Sequence, residues 1–320
     1  MNIQEIAKLS GVSAATVSRV FSHHTGVGKE IRAKVLEVAR SHGYHPRLTG
    51  HKKNVVIITP YNSVYPVQSC VDMILMSLAQ VLPERDFRLE ILPVNNLERL
   101  DSIQFCGAVA IGCENADFPG WARRFPVPLV ITDRAQGKNY QQNVYHVCSD
   151  EAQGMRLAIE HLHSRGCRRI GCLIHGTPDR GNASLRFQAI VAVLQRLDLP
   201  HDQQFVYFTG DGTERYVELI GKLLQHKVDA LFCPGGNAGI LALYALSLFN
   251  RRVPEDISLI ASEQTFFSQF AVPPQTTISP DYHAMANAVG DILTAWLDSD
   301  SLRRTITLPY RLIIRDSVLA

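Results

Sequence analysis

The sequence predicts an all-α head followed by a larger α/β core that contains two parallel sheets. Three observations lead to this fold class. The first 46 residues show helical periodicity interrupted by a glycine-containing turn. From Val55 onward, short apolar runs alternate with amphipathic helical stretches, as in βαβ units. This alternation occurs in two successive sets, so we expect two Rossmann-like subdomains with a cleft at the carboxyl ends of their strands.

The first predicted helix spans about residues 2–9 and has start and stop signals at both ends. Asn2 is its N-cap, and Glu5 three residues later completes a capping-box pattern. Gly11 can adopt a positive φ at no steric cost, which ends the helix in a tight turn. Val12 is apolar enough to fill the corner between this helix and the next.

Two further helices complete the head. Ser13 is the predicted N-cap of a helix over 14–21, whose Val17 and Val20 point inward. A third helix, about 29–42, ends at Gly43 in the C′ position. Its predicted inward face consists of Ile31, Val35, Val38 and Ala39. Two short helices joined by a glycine-containing turn and followed by a packing helix form a helix-turn-helix, although an ordinary three-helix core has the same spacing.

Composition places the 320-residue chain among globular proteins, with 46% hydrophobic and 19% charged residues. No stretch approaches the roughly 18 apolar residues that cross a bilayer, and the N-terminus lacks the apolar core of a signal peptide. Seven scattered cysteines indicate free thiols in a reducing cytoplasm rather than disulfides. Residues 1–53 contain nine Lys or Arg and three acidic residues, a formal charge of +6 within a net charge of +2. A basic head on an acidic body suits a polyanion-binding module, or a solvated helical surface.

Catalysis is not predicted. No complete GxGxxG, Walker A or GxSxG motif occurs, and no nucleophile–base pair can be named. His161 and His163 lie about 200° apart on a helix with roughly 3.6 residues per turn, so they do not converge on a metal. Cys106/Cys113 and Cys167/Cys172 lack C-x₂-C zinc spacing. We expect neither a cofactor nor a metal.

The head carries a family resemblance. The run IQEIAKLSGVSAATVSRVFSHHTGVGKEIRAKVLEVARSHGYHP, with its GVSxxTVSRV and GYxP pieces, resembles the DNA-binding head of the lactose/galactose/purine repressor family. The resemblance implies that the second helix enters the major groove of operator DNA. The outward positions are then Ala14, Ala15, Ser18 and Arg19.

The types of these residues suggest their roles. Ala14 and Ala15 can offer bases only apolar contact, for example with a thymine methyl. Arg19 is the expected polar base contact, through two bonds to guanine, with a phosphate contact alone as the alternative. Ser13, Thr16 and Ser18 are expected to act as caps and phosphate clamps.

The family usually continues into a hinge helix that inserts a leucine into the minor groove. Here residues 47–54 number only eight, about one turn shorter than that pattern, and Gly50 disfavours a helix by roughly 1 kcal/mol. Arg47 would contact phosphate, and Leu48 is either the wedge or an exposed linker residue. We expect DNA bending and effector coupling to differ from the family norm.

The rest of the chain resembles the family's periplasmic-binding-protein-like regulatory core. The segments that carry the resemblance are VCSDEAQGMRLAIEHLHSRGCRRIGCLIHG, RVPEDISLIAS, PPQTTISPDYHAMANAV and TLPYRLIIRDS. The implied organisation is a head at 1–46, a shortened hinge at 47–54 and an effector-binding and dimerisation core at 55–320. Within the core, subdomain one would comprise about 55–149 plus 281–300, and subdomain two about 150–280 plus 303–320.

Three residues match effector-binding positions of the family: Asp133, Arg186 and Glu263. Glu263 replaces the aspartate that is usual at its position. Carboxylates and a guanidinium in a cleft suit the hydroxyls of a sugar or nucleoside-like ligand, but each could instead form a salt bridge. Pro234-Gly235-Gly236 stands where many relatives have Asn-Asp, and backbone groups near Gly235 are candidate ligand contacts. Tyr61 and Tyr65 could stack on a sugar or pack in a lid.

These features predict a homodimeric cytoplasmic, nucleoid-associated regulator, most simply a repressor, whose operator affinity responds to a small sugar-like effector. No membrane association is expected. Two alternatives stay open. One is a constitutive DNA-binding regulator whose core has lost its ligand, and the other is a solute-binding protein with a helical appendage, which would require export.

Overall fold

The computed structural model describes residues 2–21, 26–42, 44, 53–60, 70–134, 141–179, 181–210, 212–263, 265–298 and 301–319. Two compact units make up the chain. Unit 1 comprises residues 1–66, 71–148 and 282–306, and unit 2 comprises residues 67–70, 149–281 and 307–320. Each unit is therefore assembled from segments that are distant in sequence.

The head consists of three helices, α1 (Ile3–Ser10), α2 (Ala14–Phe21) and α3 (Lys29–Ser41). The predicted capping box at the start of α1 is confirmed: Asn2 Oδ1 accepts the N–H of Glu5 at 3.0 Å, and the Glu5 carboxylate accepts the N–H of Asn2 at 2.9 Å. Gly11 has φ +68°, as its predicted role in the turn requires. The predicted C′ residue of α3, Gly43, lies outside the described residues.

One apolar cluster holds the three head helices together. Its buried members are Ile6, Ala7, Val17, Val20, Phe21, Val35, Leu36 and Ala39. Val12 packs partly against this cluster, at the corner between α1 and α2. The predicted inward position of Ile31 is wrong, because this side chain lies in the first turn of α3, outside the cluster, and is 43% exposed. Leu36 is buried instead, next to Val35.

Unit 1 is built on a six-stranded sheet with the order β11-β5-β4-β3-β1-β2, in which β1 to β5 pair in parallel. Its strands are β1 (Asn54–Thr59), β2 (Arg88–Pro93), β3 (Gly107–Ile111), β4 (Leu129–Thr132), β5 (Val144–Ser149) and β11 (Thr305–Leu308). Its helices beyond the head are α4 (Cys70–Glu84), α5 (Trp121–Arg124) and α11 (Tyr282–Asp298). Strands β3 and β4 are buried along their whole length, as their continuous apolar runs predict.

Unit 2 repeats the arrangement with the order β12-β10-β9-β8-β6-β7, in which only β12 runs antiparallel to its neighbour. Its strands are β6 (Ile170–Ile174), β7 (Val206–Phe208), β8 (Ala230–Cys233), β9 (Ser258–Ser262), β10 (Thr276–Pro280) and β12 (Tyr310–Ile313). Its helices are α6 (Glu151–Ser164), α7 (Ala183–Arg196), α8 (Tyr216–Gln225), α9 (Ala238–Leu248) and α10 (Thr265–Phe270).

The two sheets share a topology in which the strand order reverses next to the first strand of each set. In unit 1 the reversal lies between β1 and β3, and in unit 2 between β6 and β8. Open α/β sheets bind ligands at the carboxyl ends of their strands beside such a reversal. The fold class predicted from the sequence is confirmed, and each sheet has one edge at which a ligand site is expected.

Among the described residues, no helix has the length and apolar character that crossing a bilayer demands. All seven cysteines are free thiols, and six of them are buried. Burial raises the pKa of the Cys233 thiol to about 12, so this thiol is protonated at neutral pH.

Candidate functional site

Helix α2 begins at a capped N-terminus. The Ser13 hydroxyl accepts the N–H of Thr16 at 3.1 Å, and the two side-chain hydroxyls lie 2.9 Å apart. The Ser13 carbonyl accepts the N–H of Val17 at 3.0 Å. The bond from Thr16 satisfies one of the backbone N–H groups that a helix start leaves unpaired. Ser13 and Thr16, both predicted as caps, are thus linked to each other in the first turn.

The outer face of α2 presents the predicted DNA-contacting residues. Ala15, Ser18 and Arg19 are exposed, at the i, i+3 and i+4 spacing of one helix face. Ala14 is partly buried against the head core, so Ala15 is the more accessible of the two alanines. Arg47 and Leu48, the predicted hinge contacts, lie outside the described residues.

At the carboxyl edge of the unit 2 sheet, Arg186 on α7 forms a bidentate ion pair with Glu151, the first residue of α6. Arg186 Nε lies 2.8 Å from Glu151 Oε2, and Nη2 lies 3.0 Å from Oε1. Asn182 Nδ2 and the Tyr310 hydroxyl also donate to Oε1, at 2.8 and 3.2 Å. The predicted effector residue Arg186 therefore lies in a buried polar cluster within unit 2.

Gly235 follows β8 and lies directly beside Arg186. Its φ is +88°, and a Cβ built on it would collide with Arg186 Nη1 and lie 3.3 Å from the Cβ of His175. Its N–H donates to the Ser262 hydroxyl at 2.7 Å. Only glycine meets both the backbone and the space requirements of this position. The structure thus brings together Gly235 and Arg186, both of which are predicted effector residues.

Glu263 follows β9 and is 5% exposed. Arg315 donates to both of its carboxylate oxygens, from Nη1 to Oε2 at 3.0 Å and from Nη2 to Oε1 at 3.2 Å. The Thr277 hydroxyl donates to Oε2 as well. The carboxylate of Glu263 is therefore engaged by the neighbouring strand β10 and by the segment after β12.

Asp133 belongs to unit 1, where it follows β4 at the carboxyl end of the strand. It is buried, adopts φ +60°, and donates its N–H to the Val147 carbonyl at 3.2 Å. The left-handed conformation is one that aspartate tolerates better than most residues. Tyr61 and Tyr65, predicted to follow β1 as aromatic contacts, lie outside the described residues.

Sequence reasoning missed the ion-pair partners of the predicted residues. Glu151 lies 35 positions before Arg186, and Arg315 lies 52 positions after Glu263. A single signal was available, since a buried charge needs a partner of opposite charge. The sequence contains 30 acidic residues and 32 Lys or Arg, so it could not indicate which residue supplies that partner.

The chain combines a helix-turn-helix head with two α/β units, each built on a mainly parallel sheet of this topology. This combination defines a class of DNA-binding regulators with a periplasmic-binding-protein-like core. A family model described as "Bacterial regulatory proteins, lacI family" matches residues 2–47, and one described as "Periplasmic binding protein-like domain" matches residues 159–318. The chain belongs to the lacI family of bacterial transcriptional regulators.

Relatives match this chain along its whole length, and solved structures share its fold. The ribose operon repressor of Lactococcus lactis is 23% identical over 335 aligned positions that cover 99% of this chain and 97% of the relative. A structure of a complex of the transcriptional regulator CelR with cellobiose has a TM-score of 0.70 and 23% identity, with 99% of each chain covered. A lac repressor dimer bound to operator and an anti-inducer has a TM-score of 0.67 and 19% identity, with 100% of this chain and 99% of that chain covered.

Proposed function

We propose that this protein is a homodimeric repressor that binds an operator through α2. Its affinity for the operator falls or rises when a small sugar-like effector binds its core. It acts in the cytoplasm and catalyses no reaction. The observation that carries the proposal is the capped helix α2, whose Ala15, Ser18 and Arg19 form an exposed face on a head attached to two ligand-binding folds. A helix presented in this way can enter the major groove.

On this helix, Arg19 supplies the sequence-reading contact. Ala15 has no hydrogen-bonding side chain and can discriminate only by apolar contact. Ser13 and Thr16 are occupied with each other at the cap, which leaves Ser18 as the hydroxyl best placed for phosphate. Residues 47–54 act as a short hinge, with Arg47 on phosphate and Leu48 at the minor groove.

A second copy of the chain covers apolar side chains on α9, on α10 and just after α10 in unit 2. The side chains concerned are all more than half exposed: Tyr244, Leu248, Phe266, Phe270 and Val272, of which Val272 is 91% exposed. The rings of Phe266 and Phe270 lie 5.4 Å apart and form one aromatic patch. Apolar groups this exposed favour association, and the operator-bound lac repressor to which this chain is similar is a dimer.

In unit 2 the effector binds at the carboxyl edge of the sheet, through Arg186, Gly235 and Glu263. Asp133, at the carboxyl end of β4, and the sequence-predicted Tyr61 are the candidate effector residues of unit 1. The solved complex of CelR with cellobiose supports a carbohydrate ligand. A constitutive regulator is the second candidate, because both charged residues predicted in unit 2 already have internal partners of opposite charge.

Selection of bound duplexes from a random pool tests the DNA-binding part. We expect enrichment of a pseudo-palindrome, whose two half-sites reflect the two heads of a dimer. A thermal-shift screen of sugars and nucleobases, followed by operator titration with each hit, tests the effector part. A ligand that stabilises the core and changes operator affinity distinguishes the effector-responsive repressor from the constitutive one. Failure to enrich any duplex at moderate salt would contradict the proposal.

A further inference from the structure

Glu151 is the counter-ion of Arg186, whose guanidinium is a proposed effector contact. The Glu151 side chain is 6% exposed and the Arg186 side chain 14% exposed, so both charges are largely removed from water. The two parallel bonds, 2.8 and 3.0 Å long, match the planar fork of a guanidinium to the two oxygens of a carboxylate. The pair therefore contributes no net charge to the site.

Three elements hold the carboxylate in place. Glu151 is the first residue of α6, and Asn182 and Arg186 lie four positions apart at the start of α7, so both reach it from one helix face. Tyr310, the first residue of β12, donates its hydroxyl to the same oxygen that Asn182 contacts. These hydrogen bonds form a satisfied buried network, which holds the carboxylate rigidly in place.

The pair lies where a ligand of this fold is expected. Arg186 Nη1 lies against Gly235, in the loop that follows β8, beside the reversal of strand order. The adjacent strand end carries Glu263, whose charge is likewise compensated, by Arg315. The charged pairs at this edge of unit 2 are therefore neutral in sum.

This arrangement discriminates against anions. A phosphate or carboxylate that approaches Arg186 also approaches Glu151, whose negative charge cancels much of the attraction. An anion that displaced Glu151 would leave a buried carboxylate without its cation, which carries a large desolvation cost. An uncharged ligand avoids both penalties, because hydroxyls can donate to and accept from an ion pair without separating it.

We propose that Glu151 restricts this site to uncharged, hydroxyl-rich ligands and excludes their phosphorylated and carboxylated counterparts. The inference rests on the effector-binding part of the proposed function.

The test compares matched ligands on the full-length protein. The probes are ribose with ribose 5-phosphate, and glucose and galactose with their 6-phosphates and uronic acids. Thermal shifts and calorimetric titration are measured for the wild type and for E151Q, E151D and E160Q. E160Q removes the same charge from the partly exposed end of α6, where Glu160 pairs with Arg156 and Arg196. Circular dichroism and DNA binding establish that each variant is folded.

We expect the wild type to bind at least one neutral sugar and to bind its anionic counterparts at least about tenfold more weakly, a difference that corresponds to about 1.4 kcal/mol. E151Q should shift this ratio toward the anions by about tenfold or more, whereas E151D and E160Q should keep the wild-type ratio. A wild type that prefers an anion, or an unchanged ratio in E151Q, would overturn the inference and leave the proposed function intact. If neither the wild type nor E151Q responds to any probe while operator binding persists, the inference and the effector part both fail.

Discussion

Arg315 donates two hydrogen bonds to the carboxylate of Glu263, at 3.0 and 3.2 Å, and thereby ties the segment after β12 to the end of β9. Arg315 Nη1 also donates to the Gln275 carbonyl at 2.6 Å. Both side chains are at least 86% buried. A residue predicted as an effector contact is thus also part of the internal framework of unit 2.

Arg315→Ala is expected to lower the free energy of unfolding by about 3–5 kcal/mol, because it leaves the Glu263 carboxylate buried without its cation. The matched control is Arg311→Ala in the preceding strand β12, since Arg311 is 71% exposed in its pair with Asp281 and such pairs contribute about 1 kcal/mol or less. The free energy of unfolding of each variant is measured by urea titration monitored by circular dichroism. Equal losses in the two variants would contradict a structural role for the Arg315–Glu263 pair.

Arg19→Ala should weaken binding to the selected operator far more than binding to random DNA, by an additional 1–3 kcal/mol or so if Arg19 contacts guanine through two bonds. Arg40→Ala, which removes the same charge from an exposed position at the end of α3, should weaken both by similar small factors. Gel-shift titrations at fixed salt compare the affinities of the wild type, R19A and R40A for the two DNAs. A loss on R19A that is the same for both DNAs would assign Arg19 to phosphate alone.

Ser13→Ala removes the acceptor for the Thr16 N–H and should destabilise the start of α2 by about 1 kcal/mol. Amide hydrogen exchange at Thr16 in the intact protein should accelerate by about fivefold in consequence. Ser18→Ala, which alters an exposed hydroxyl on the same helix, is the control and should leave this exchange rate unchanged. The prediction fails if both substitutions have the same effect.

Gly235→Ala and Gly210→Ala distinguish the destabilisation due to backbone strain from that due to a steric collision of the new Cβ. Both glycines have positive φ, but a Cβ at Gly210 meets nothing within 4 Å, whereas one at Gly235 collides with Arg186. G210A should lose about 1–2 kcal/mol from backbone strain alone. G235A should lose about 1–3 kcal/mol more, and it should impair effector response while operator binding persists. Thermal unfolding and ligand titration distinguish the two variants.

His146 makes the stability of unit 1 sensitive to acid. It is 2% exposed, its Nδ1 has no hydrogen-bond partner among the described residues, and desolvation lowers its pKa below the usual value of 6.5, against a smaller opposing effect of a hydrogen bond with the Arg134 backbone. The unfolded state therefore binds the proton more readily. Stability is complete above about pH 6.5 and falls as pH drops toward the folded-state pKa, by up to about 1.4 kcal/mol per pH unit.

His146→Gln should flatten this dependence between about pH 7 and 5, although its stability at neutral pH can be lower. His283→Gln is the control in the same unit, because the His283 side chain is exposed on α11. Urea titrations at several pH values measure the slope. An unchanged slope in H146Q would show that another group causes the acid sensitivity.

The head could be predicted almost completely because its signals are local. The Asn2–Glu5 capping box spans three residues, the Gly11 turn depends on one backbone conformation, and the Ser13 cap lies next to its helix. The misplacement of Ile31 has a tertiary cause. Periodicity identifies an apolar stripe on α3, but only the contacts with α1 and α2 decide where along that stripe burial begins.

The sequence alone determined the class of fold, because alternating apolar runs and helices leave few topologies other than parallel sheets. It also placed Gly235 and Glu263 directly after predicted strands, and the family resemblance pointed to Arg186 on a helix. Only the tertiary structure decided which charges meet there. Glu151 reaches Arg186 across 35 positions and Tyr310 across 159, and Arg315 reaches Glu263 across 52. Pairing over such separations follows from the packing of distant strands and helices, and no local pattern encodes it.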